Sequence, residues 1–390
     1  MPSTNLPSSK SSDLHLVIAT DVENLAQLHA NSSEWRGALS LPAYLKREER
    51  LVSQNLTKNG GLTPWMLVHQ PAGSETRKVL CGCESIKKKA LLAKDGEVKE
   101  VVAHGIASVF CPPDNRGKGY AGRMMEEVGK RLGTWQAEGE EDGKSAFSVL
   151  FSDIGKEFYK AKGWENFESA HLALAGSEST PEGLPQTKPL KASDLGALCE
   201  ADEKLLRERL AKLKGGKKTA VALIPDIRTL DWHHAREDFV ANELHSRHPT
   251  IKGAIAGSEP GKRAWCIWTR VWTNPNENAG DTLHILRLAV EDEAYSDFSP
   301  ASDSSSPPDS EAVNQVAALL AAAQREAKEW NMEHVEIWNP TSVTLAAAKK
   351  LDGGVKVTHR EKESIAALRW YGEGDWRDVE WVCNEKFGWC

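Results

Sequence analysis

A glycine-rich turn between two apolar segments contains the residues with the clearest chemical meaning. The stretch from Val109 to Arg123 reads Val-Phe-Cys-Pro-Pro-Asp-Asn-Arg-Gly-Lys-Gly-Tyr-Ala-Gly-Arg. A strand-like apolar run, 106–111, precedes it, and a helical pattern over 120–135 follows. Glycines allow the backbone to approach a ligand closely, and free N–H groups at the start of a helix bind anions. The turn therefore predicts a pyrophosphate site.

The pattern within this turn resembles a known signature. Arg116-Gly-Lys-Gly-Tyr-Ala121 is similar to the Arg/Gln-x-x-Gly-x-Gly/Ala motif of the GNAT superfamily of acetyl-CoA-dependent N-acetyltransferases. It is not the Walker form, nor the dinucleotide form with a following acidic residue. The resemblance implies that acetyl-CoA is a substrate. It also implies that the coenzyme contacts the backbone of Val109, Phe110 and Cys111 and the loop residues Arg116, Gly117, Lys118, Gly119, Tyr120, Ala121 and Gly122.

A second segment supports the same resemblance. A short apolar strand, 148–153, is followed by a helical stretch over 155–162 and a Gly-Trp stop. Within it, Tyr159-Lys-Ala-Lys-Gly163-Trp164 resembles the Tyr-x-x-x-Gly-Phe segment of the superfamily. The resemblance implies that Tyr159 protonates the departing thiolate of coenzyme A.

The general base is not determined by the sequence. A lysine-type amine has a pKa of about 10.4, so deprotonating it at pH 7 costs roughly 4 to 5 kcal/mol and a base or proton relay is required. Many superfamily members carry a glutamate on the fourth strand, but the aligned position here is Gly105. The candidates that remain are His104, the glutamates at 97 and 100, and the C-terminal carboxylate at Cys390, which some tandem relatives use.

Composition excludes several classes of protein. The net charge of −7 and the absence of a basic domain argue against nucleic-acid binding. No apolar run approaches the length of a membrane span, and the N-terminus has no signal-peptide pattern. Seven cysteines without framework spacing predict reduced thiols, and no cluster has the spacing of a metal site. We therefore expect a cytoplasmic enzyme without a metal, and make no prediction of its oligomeric state.

The length of 390 residues predicts two domains. We predict a disordered tail (1–12), a catalytic acetyl-CoA-binding GNAT domain (13–178), a linker (179–190) and a second half (191–390) that repeats the order of elements. Where the second half should have its phosphate loop, the stretch 296–310 contains Ser, Asp and Pro without glycine. This stretch predicts a disordered insertion and no coenzyme binding. The predicted fold class is α/β (α+β): a GNAT acyltransferase fold with a degenerate GNAT-like C-terminal copy.

The acceptor is predicted from the overall layout. The two halves, the cofactor motif and Trp232-His233-His234-Ala-Arg236 together resemble the fungal lysine N6-acetyltransferases, which acetylate free L-lysine at the start of its catabolism. An amino-acid substrate needs a clamp for its carboxylate, which Arg36 or Arg236 could supply. We predict that Trp232, His233 and His234 face the cleft between the halves. The alternatives are a protein lysine or N-terminus, a polyamine, and a non-catalytic CoA-binding scaffold.

Overall fold

Two β-sheets and their flanking helices form the part of the chain that the computed structural model describes, residues 6–140, 143–213, 218–274, 280–292, 298, 301 and 310–390. No helix in these ranges is long and apolar enough to cross a membrane. All seven cysteines are free thiols. The helices are α1 (Asp21–Trp35), α2 (Leu41–Val52), α3 (Tyr120–Leu132), α4 (Glu157–Lys160), α5 (Ala192–Lys212), α6 (Ile227–His245), α7 (Glu311–Glu329) and α8 (Ser342–Leu351).

The strands lie between these helices, singly or in groups, along the chain. In order they are β1 (Leu14–Ile18), β2 (Leu62–His69), β3 (Lys78–Lys94), β4 (Glu97–Phe110), β5 (Phe147–Ser152), β6 (Glu165–Asn166), β7 (Ala170–Ala175), β8 (Thr187–Leu190), β9 (Thr219–Leu223), β10 (Gly253–Ala256), β11 (Ala264–Val271), β12 (Thr282–Val290), β13 (His334–Trp338), β14 (Thr358–His359), β15 (Ile365–Trp370) and β16 (Val379–Trp381).

The first sheet is an antiparallel meander with two parallel pairs. Its main order is β1-β2-β3-β4-β5-β15-β6; β9 joins it along β3 and pairs in parallel with β16. Asp95 and Gly96, with φ of 54° and 87°, form the tight turn between β3 and β4, since two positive φ values match the twist of a hairpin. Strands β4 and β5 are parallel, joined through α3, and pair only over Ala103–Gly105 and Phe147–Val149. Beyond Gly105 they separate and leave a wedge-shaped opening.

The second sheet repeats this arrangement. Its order is β14-β7-β13-β12-β11-β10-β8, and its parallel pair, β12 and β13, is joined through α7. The sheet therefore has the strand-helix-strand unit that β4, α3 and β5 form in the first. The insertion predicted over 296–310 lies outside the described residues, apart from positions 298, 301 and 310.

The two sheets exchange strands. β7 comes from the predicted catalytic domain but lies in the second sheet, between β13 and β14, whereas β15 comes from the second half and lies in the first sheet, between β5 and β6. The predicted linker over 179–190 also includes β8, which pairs with β10. Sequence-order boundaries at 178 and 190 therefore do not separate the two units, because hydrogen bonding places these strands across them.

Apolar side chains from both sheets share one core. Phe147 and Val149 of β5 belong to the same buried cluster as Trp265 and Ile267 of β11 and Leu286 of β12. Burying a large apolar side chain contributes about 1.5–3 kcal/mol, so this shared cluster is a substantial part of the stability of both halves.

The N-terminal segment is more ordered than its composition predicts. Residues 6–12 of the predicted disordered tail belong to the described chain, and Leu6 packs against the cluster that contains Tyr120 and Met124 of α3. The Tyr120 hydroxyl donates a hydrogen bond to the Pro7 carbonyl. One apolar side chain and this backbone contact hold a segment that is otherwise rich in serine.

Candidate active site

The glycine-rich turn lies at the mouth of the wedge between β4 and β5. Pro113–Asn115 form one 3-10 turn after β4, and Gly117 and Gly119 then take φ of 74° and 83° before α3 begins at Tyr120. Gly119 is the N-cap of α3, and no side chain in the described part of the chain caps it. The N–H groups of the first turn of α3 are therefore available to an anion.

The wedge itself is a cavity of about 650 Å³. The β4 backbone beyond Gly105 has no hydrogen-bonded partner on β5 within the described ranges, so its outward N–H and C=O groups face this space. The residues that line it are Glu34, Trp35, Ile106, Ala107, Ser108, Val109, Phe110, Cys111, Arg116, Ala121, Leu150, Phe151, Asp153, Ile154, Phe158, Tyr159, Trp389 and Cys390. The cavity is thus continuous with the loop and reaches the last residue of the chain.

Tyr159 lies on the wall of this cavity. It belongs to the short helix α4, its side chain is 8% exposed, and its ring contacts the Phe158 ring edge-on with centroids 4.9 Å apart. Burial raises the pKa of the Tyr159 phenol well above its ordinary value, with the Cys83 and Asp153 charges adding to the effect. The hydroxyl therefore stays protonated at neutral pH and can donate a proton inside the cavity.

Gly105 lies where β4 and β5 separate, at the position where many superfamily members carry a glutamate. A Cβ atom at Gly105 would lie 2.6 Å from the Cys390 Sγ and 2.8 Å from the Lys88 Cε. Contacts that short require a neighbour to move, so the absence of a side chain at 105 is what admits Cys390 to this point. The Cys390 thiol and the end of the Lys88 side chain therefore lie against the space that a side chain at 105 would fill.

Lys88 is a buried cation beside this point. Its side chain is 4% exposed, and burial lowers its pKa, while the charges of Cys390 and Asp226 oppose that shift. A buried ammonium group is costly without a negative neighbour. Lys88 therefore favours an anionic group near Cys390.

Contacts with the second half hold the C-terminal segment in place. Glu385 accepts hydrogen bonds from the Arg287 guanidinium and, at 3.0 Å, from the Leu288 backbone N–H of β12. Its neighbour Lys386 places its ammonium 4.3 Å from the Trp338 ring centroid and 4.4 Å from that of Trp389. The second sheet thus anchors the C-terminal segment, whose last residue, Cys390, lies beside Gly105 in the first sheet.

His104 does not line the cavity. It is fully buried on β4, and its Nδ1 lies 3.4 Å from the Ser145 hydroxyl oxygen. Burial lowers its pKa to about 4, so the ring is neutral at physiological pH. Its position favours a packing role over the predicted alternative of a base that contacts substrate.

The histidine pair and its neighbouring tryptophan on α6 are packed inside the protein. Trp232, His233 and His234 are only 6%, 3% and 4% exposed, although their pattern predicts that they face the cleft. The His233 Nε2 lies 3.1 Å from the Phe387 carbonyl oxygen, and the His234 Nε2 lies 3.0 Å from that of Trp268. These contacts support the C-terminal segment and β11, and direct contact of the three side chains with substrate stays a prediction.

Four arginines meet beside the cavity. Arg36, Arg47, Arg236 and Arg270 line a small pocket between the α1–α2 connection, α6 and β11. Arg47 and Arg270 are paired with nearby glutamates. Arg36 and Arg236 make no ion pair within the described residues. Arg236 stacks 5.2 Å from the Trp389 ring centroid, and burial lowers its pKa to about 9.

Glu84 is a candidate functional residue that the sequence analysis did not identify. It lies on β3 opposite Ala107, beside a register shift in the pairing with β4. Burial raises the pKa of its carboxyl to about 7, the Glu48 charge adds to this, and a hydrogen bond with the Ser108 side chain opposes it. The available signal was a lone acid in the first half of β3, but the candidates considered for the base were on β4, at the hairpin end and at Cys390.

Several known proteins are similar to this chain in sequence. A family model described as the LYC1 GNAT-like C-terminal domain matches residues 171–390. A lysine acetyltransferase of Yarrowia lipolytica is 25% identical over 278 residues, which cover 61% of this chain and 68% of that protein. An uncharacterized protein of Saccharomyces cerevisiae is 23% identical over 433 residues, which cover 98% of this chain and 99% of the other.

A solved structure shows the same fold over most of the chain. A probable N-acyltransferase from Enterococcus faecalis superposes with a TM-score of 0.51 at 15% identity, and the match covers 92% of this chain and 72% of that one. At this identity the likeness concerns the fold alone.

Proposed function

The chain belongs to the family defined by the LYC1 GNAT-like C-terminal domain, and from that premise we propose that it acetylates the side-chain amine of free L-lysine. The chain is a GNAT-type, acetyl-CoA-dependent acyltransferase, as its sequence predicts. The proposal extends this to one acceptor, and with it to lysine breakdown in the cytoplasm. The observation that carries it is the meeting of the open glycine loop, Tyr159 and Cys390 in one cavity beside two unpaired arginines.

In this proposal the first half binds the acetyl donor. The first turn of α3 holds the pyrophosphate, and the side of β4 that faces β5, which lacks pairing beyond Gly105 in the described chain, binds the pantetheine arm and the thioester carbonyl. Those N–H groups would stabilise the oxyanion that develops during attack. The second half has no glycine loop within 290–310, and we propose that it binds no coenzyme.

Proton transfer would use two groups that line the cavity. The protonated Tyr159 hydroxyl would give its proton to the departing thiolate, whose pKa is about 8.5, a contribution of roughly 10² to 10⁴ in rate. The C-terminal carboxylate of Cys390, a residue that lines the cavity and places its Sγ against Gly105, would take the proton from the amine. The Lys88 charge would keep that carboxylate ionised.

The acceptor would lie across the cleft from the donor. Arg236 on α6 and Arg36 after α1 are the two arginines of the pocket that are free to bind an α-carboxylate. A carboxylate there would orient the long side chain of lysine towards the cavity. The curated relative from Yarrowia lipolytica, named a lysine acetyltransferase, supports the same acceptor.

The test is release of free thiol from acetyl-CoA by the purified protein, with product identification by mass spectrometry. L-lysine would be compared with cadaverine, which lacks the α-carboxylate, with spermidine and with a histone-tail peptide. We expect turnover of L-lysine far above that of cadaverine, with N6-acetyllysine as product. Turnover of the peptide or spermidine alone would overturn the lysine assignment and leave the acyltransferase standing.

Two variants connect the result to the site. Tyr159→Phe should lower kcat by about 10² to 10⁴ because the acid is lost, with coenzyme affinity little changed. Arg236→Met should raise KM for L-lysine and leave the weak turnover of cadaverine unchanged. An equal effect of Arg236→Met on both amines would argue against the carboxylate clamp.

A further inference from the structure

We propose that residues 6–10, here called the N-terminal strap, form one wall of the coenzyme phosphate site, where the Ser9 hydroxyl donates a hydrogen bond to the bound pyrophosphate. The inference rests on the proposed function, since it takes acetyl-CoA as the molecule in the glycine loop. It assigns coenzyme binding to a segment that precedes the first strand and lies more than 100 residues from the glycine motif.

Side chains of α3 hold the strap against the start of that helix. The Tyr120 hydroxyl donates to the Pro7 carbonyl, and the Arg123 Nη1 donates to the Ser9 carbonyl at 3.2 Å. Residues three apart lie on one face of a helix, so these contacts place the strap along a single side of the first turn. Leu6 packs into the neighbouring apolar cluster and holds the other end.

The Ser9 side chain lies at the phosphate loop itself. A Cβ atom at Gly119 would be 2.9 Å from the Ser9 Oγ and 3.3 Å from its Cβ. Gly119 is the N-cap of α3, a position where a Ser or Thr side chain usually supplies a hydroxyl. The hydroxyl of Ser9 has no hydrogen-bond partner among the described residues, so both its proton and its lone pairs are available.

The strap leaves the centre of the loop open. A Cβ at Gly117 would meet no atom within 4 Å, and one at Gly122 would meet only the end of the Lys162 side chain, at 3.2–3.4 Å. The site is therefore bounded by Ser9 on one side and on the other by Lys162, whose ammonium group donates to the Glu126 carboxylate at 2.6 Å, with the backbone N–H groups of the α3 start between them. A hydroxyl and oriented amides are donors that suit a pyrophosphate.

The charge of the strap also fits an anionic ligand. Lys10 is exposed next to Ser9, and the strap contains no acidic residue. A segment that covered the loop in place of the coenzyme would be expected to fill its centre, which stays open at Gly117. The arrangement therefore favours a wall that attracts phosphate over a plug that excludes it.

The experiment is calorimetric titration of coenzyme A into the full chain and three variants. A chain in which Met directly precedes Ser11 lacks the strap, Ser9→Ala removes only its hydroxyl, and Leu6→Asp detaches its anchored end. We expect Ser9→Ala to weaken binding about tenfold, as for a hydrogen bond to a charged group, and the other two to weaken it at least as much. Ser12→Ala, an exposed serine just outside the strap, is the matched control and should leave the affinity unchanged.

The same titrations with 3′-dephospho-coenzyme A identify which phosphate is contacted. Equal losses with both ligands are expected, because the contact is with the pyrophosphate. A loss confined to coenzyme A, unchanged affinity in all three variants, or tighter binding without the strap would each overturn the inference. If the full chain did not bind coenzyme A, the proposed function itself would be contradicted. That outcome differs from the three above, which overturn only the role of the strap.

Discussion

Among single residues, Glu84 gives the clearest dependence of folding stability on pH. Its carboxyl pKa is raised to about 7 in the folded protein, chiefly by burial, so the folded state holds a proton that the unfolded chain releases near pH 4.5. Stability from this group is therefore present below pH 4.5 and is lost as the pH rises towards 7. We predict that Glu84→Gln is more stable than the parent at pH 8, by roughly 1–3 kcal/mol, and that the difference nearly vanishes at pH 4.5.

Urea unfolding at the two pH values measures this effect. Glu97→Gln, at the exposed start of β4, is the matched control and should show no such pH-dependent gain. A stability difference for Glu84→Gln that is the same at pH 4.5 and pH 8 would contradict the raised pKa.

For single residues, the sequence predicts the features that neighbouring residues in the chain determine. The glycines at 117 and 119 take the positive φ values that their turn requires, and Tyr159 lies on the cavity wall. Glu84 could not be predicted in the same way, because its environment depends on Glu48 from a helix and Ser108 from a neighbouring strand. His104 has a suitable residue type for a base, but its buried environment could not be read from the sequence.

Among the elements, the C-terminal segment after β16 has the most specific consequence for activity. It is anchored on β12 through Glu385 and ends beside Gly105. We predict that deletion of Trp389 and Cys390 lowers kcat about 100-fold or more, since a base is lost, while the affinity for coenzyme A changes little. Steady-state kinetics with L-lysine and calorimetry with coenzyme A measure the two effects.

A substitution at the last position separates the carboxylate from the thiol. Cys390→Ser keeps the chain end and removes only sulfur, so it should retain most of the activity. If Cys390→Ser were as impaired as the deletion, the thiol and not the carboxylate would be the group that matters.

Elements formed by neighbouring residues are predictable, and those assembled from distant ones are not. The strand, glycine turn and α3 follow one another directly, and the structure has them in that order. The contact between position 390 and Gly105 joins residues 285 positions apart in the sequence, and no periodicity encodes it. The proposal that Cys390 reaches the active site therefore came from the family resemblance alone.

At the scale of the molecule, the strand exchange makes each half incomplete without the other. A chain that ends at residue 178 lacks β15, which pairs with β5 along Ile365–Trp370, and carries β7 without its sheet. We predict that this fragment does not fold, because the unpaired edge of β5 and a largely buried apolar strand would face water. Proton NMR and proteolysis of the purified fragment test this.

Supplying β15 is the control. The same fragment extended by a glycine-serine linker and residues 362–372 restores the partner of β5 and should gain solubility and resistance to protease. A well-dispersed spectrum from the unextended fragment would contradict the predicted interdependence.

The fold class was predictable from the sequence because motif order and the repeated layout of the two halves reflect it, and the family match confirms it. The positions where one unit ends and the other begins were not predictable, since alternating apolar residues mark β7 and β15 as strands without saying which sheet they join. Composition alone also misplaced the N-terminal segment, which a few contacts with α3 keep in place.

The same exchange bears on how such a gene can change over evolutionary time. We propose above that the second half binds no coenzyme, and a copy without a ligand site would ordinarily be free to decay or to be lost by recombination. Here β15 of the second half completes the first sheet and β7 of the first half completes the second, so a deletion of either half would remove a strand from the sheet that remained. Purifying selection on catalysis would then retain both halves as a single inherited unit.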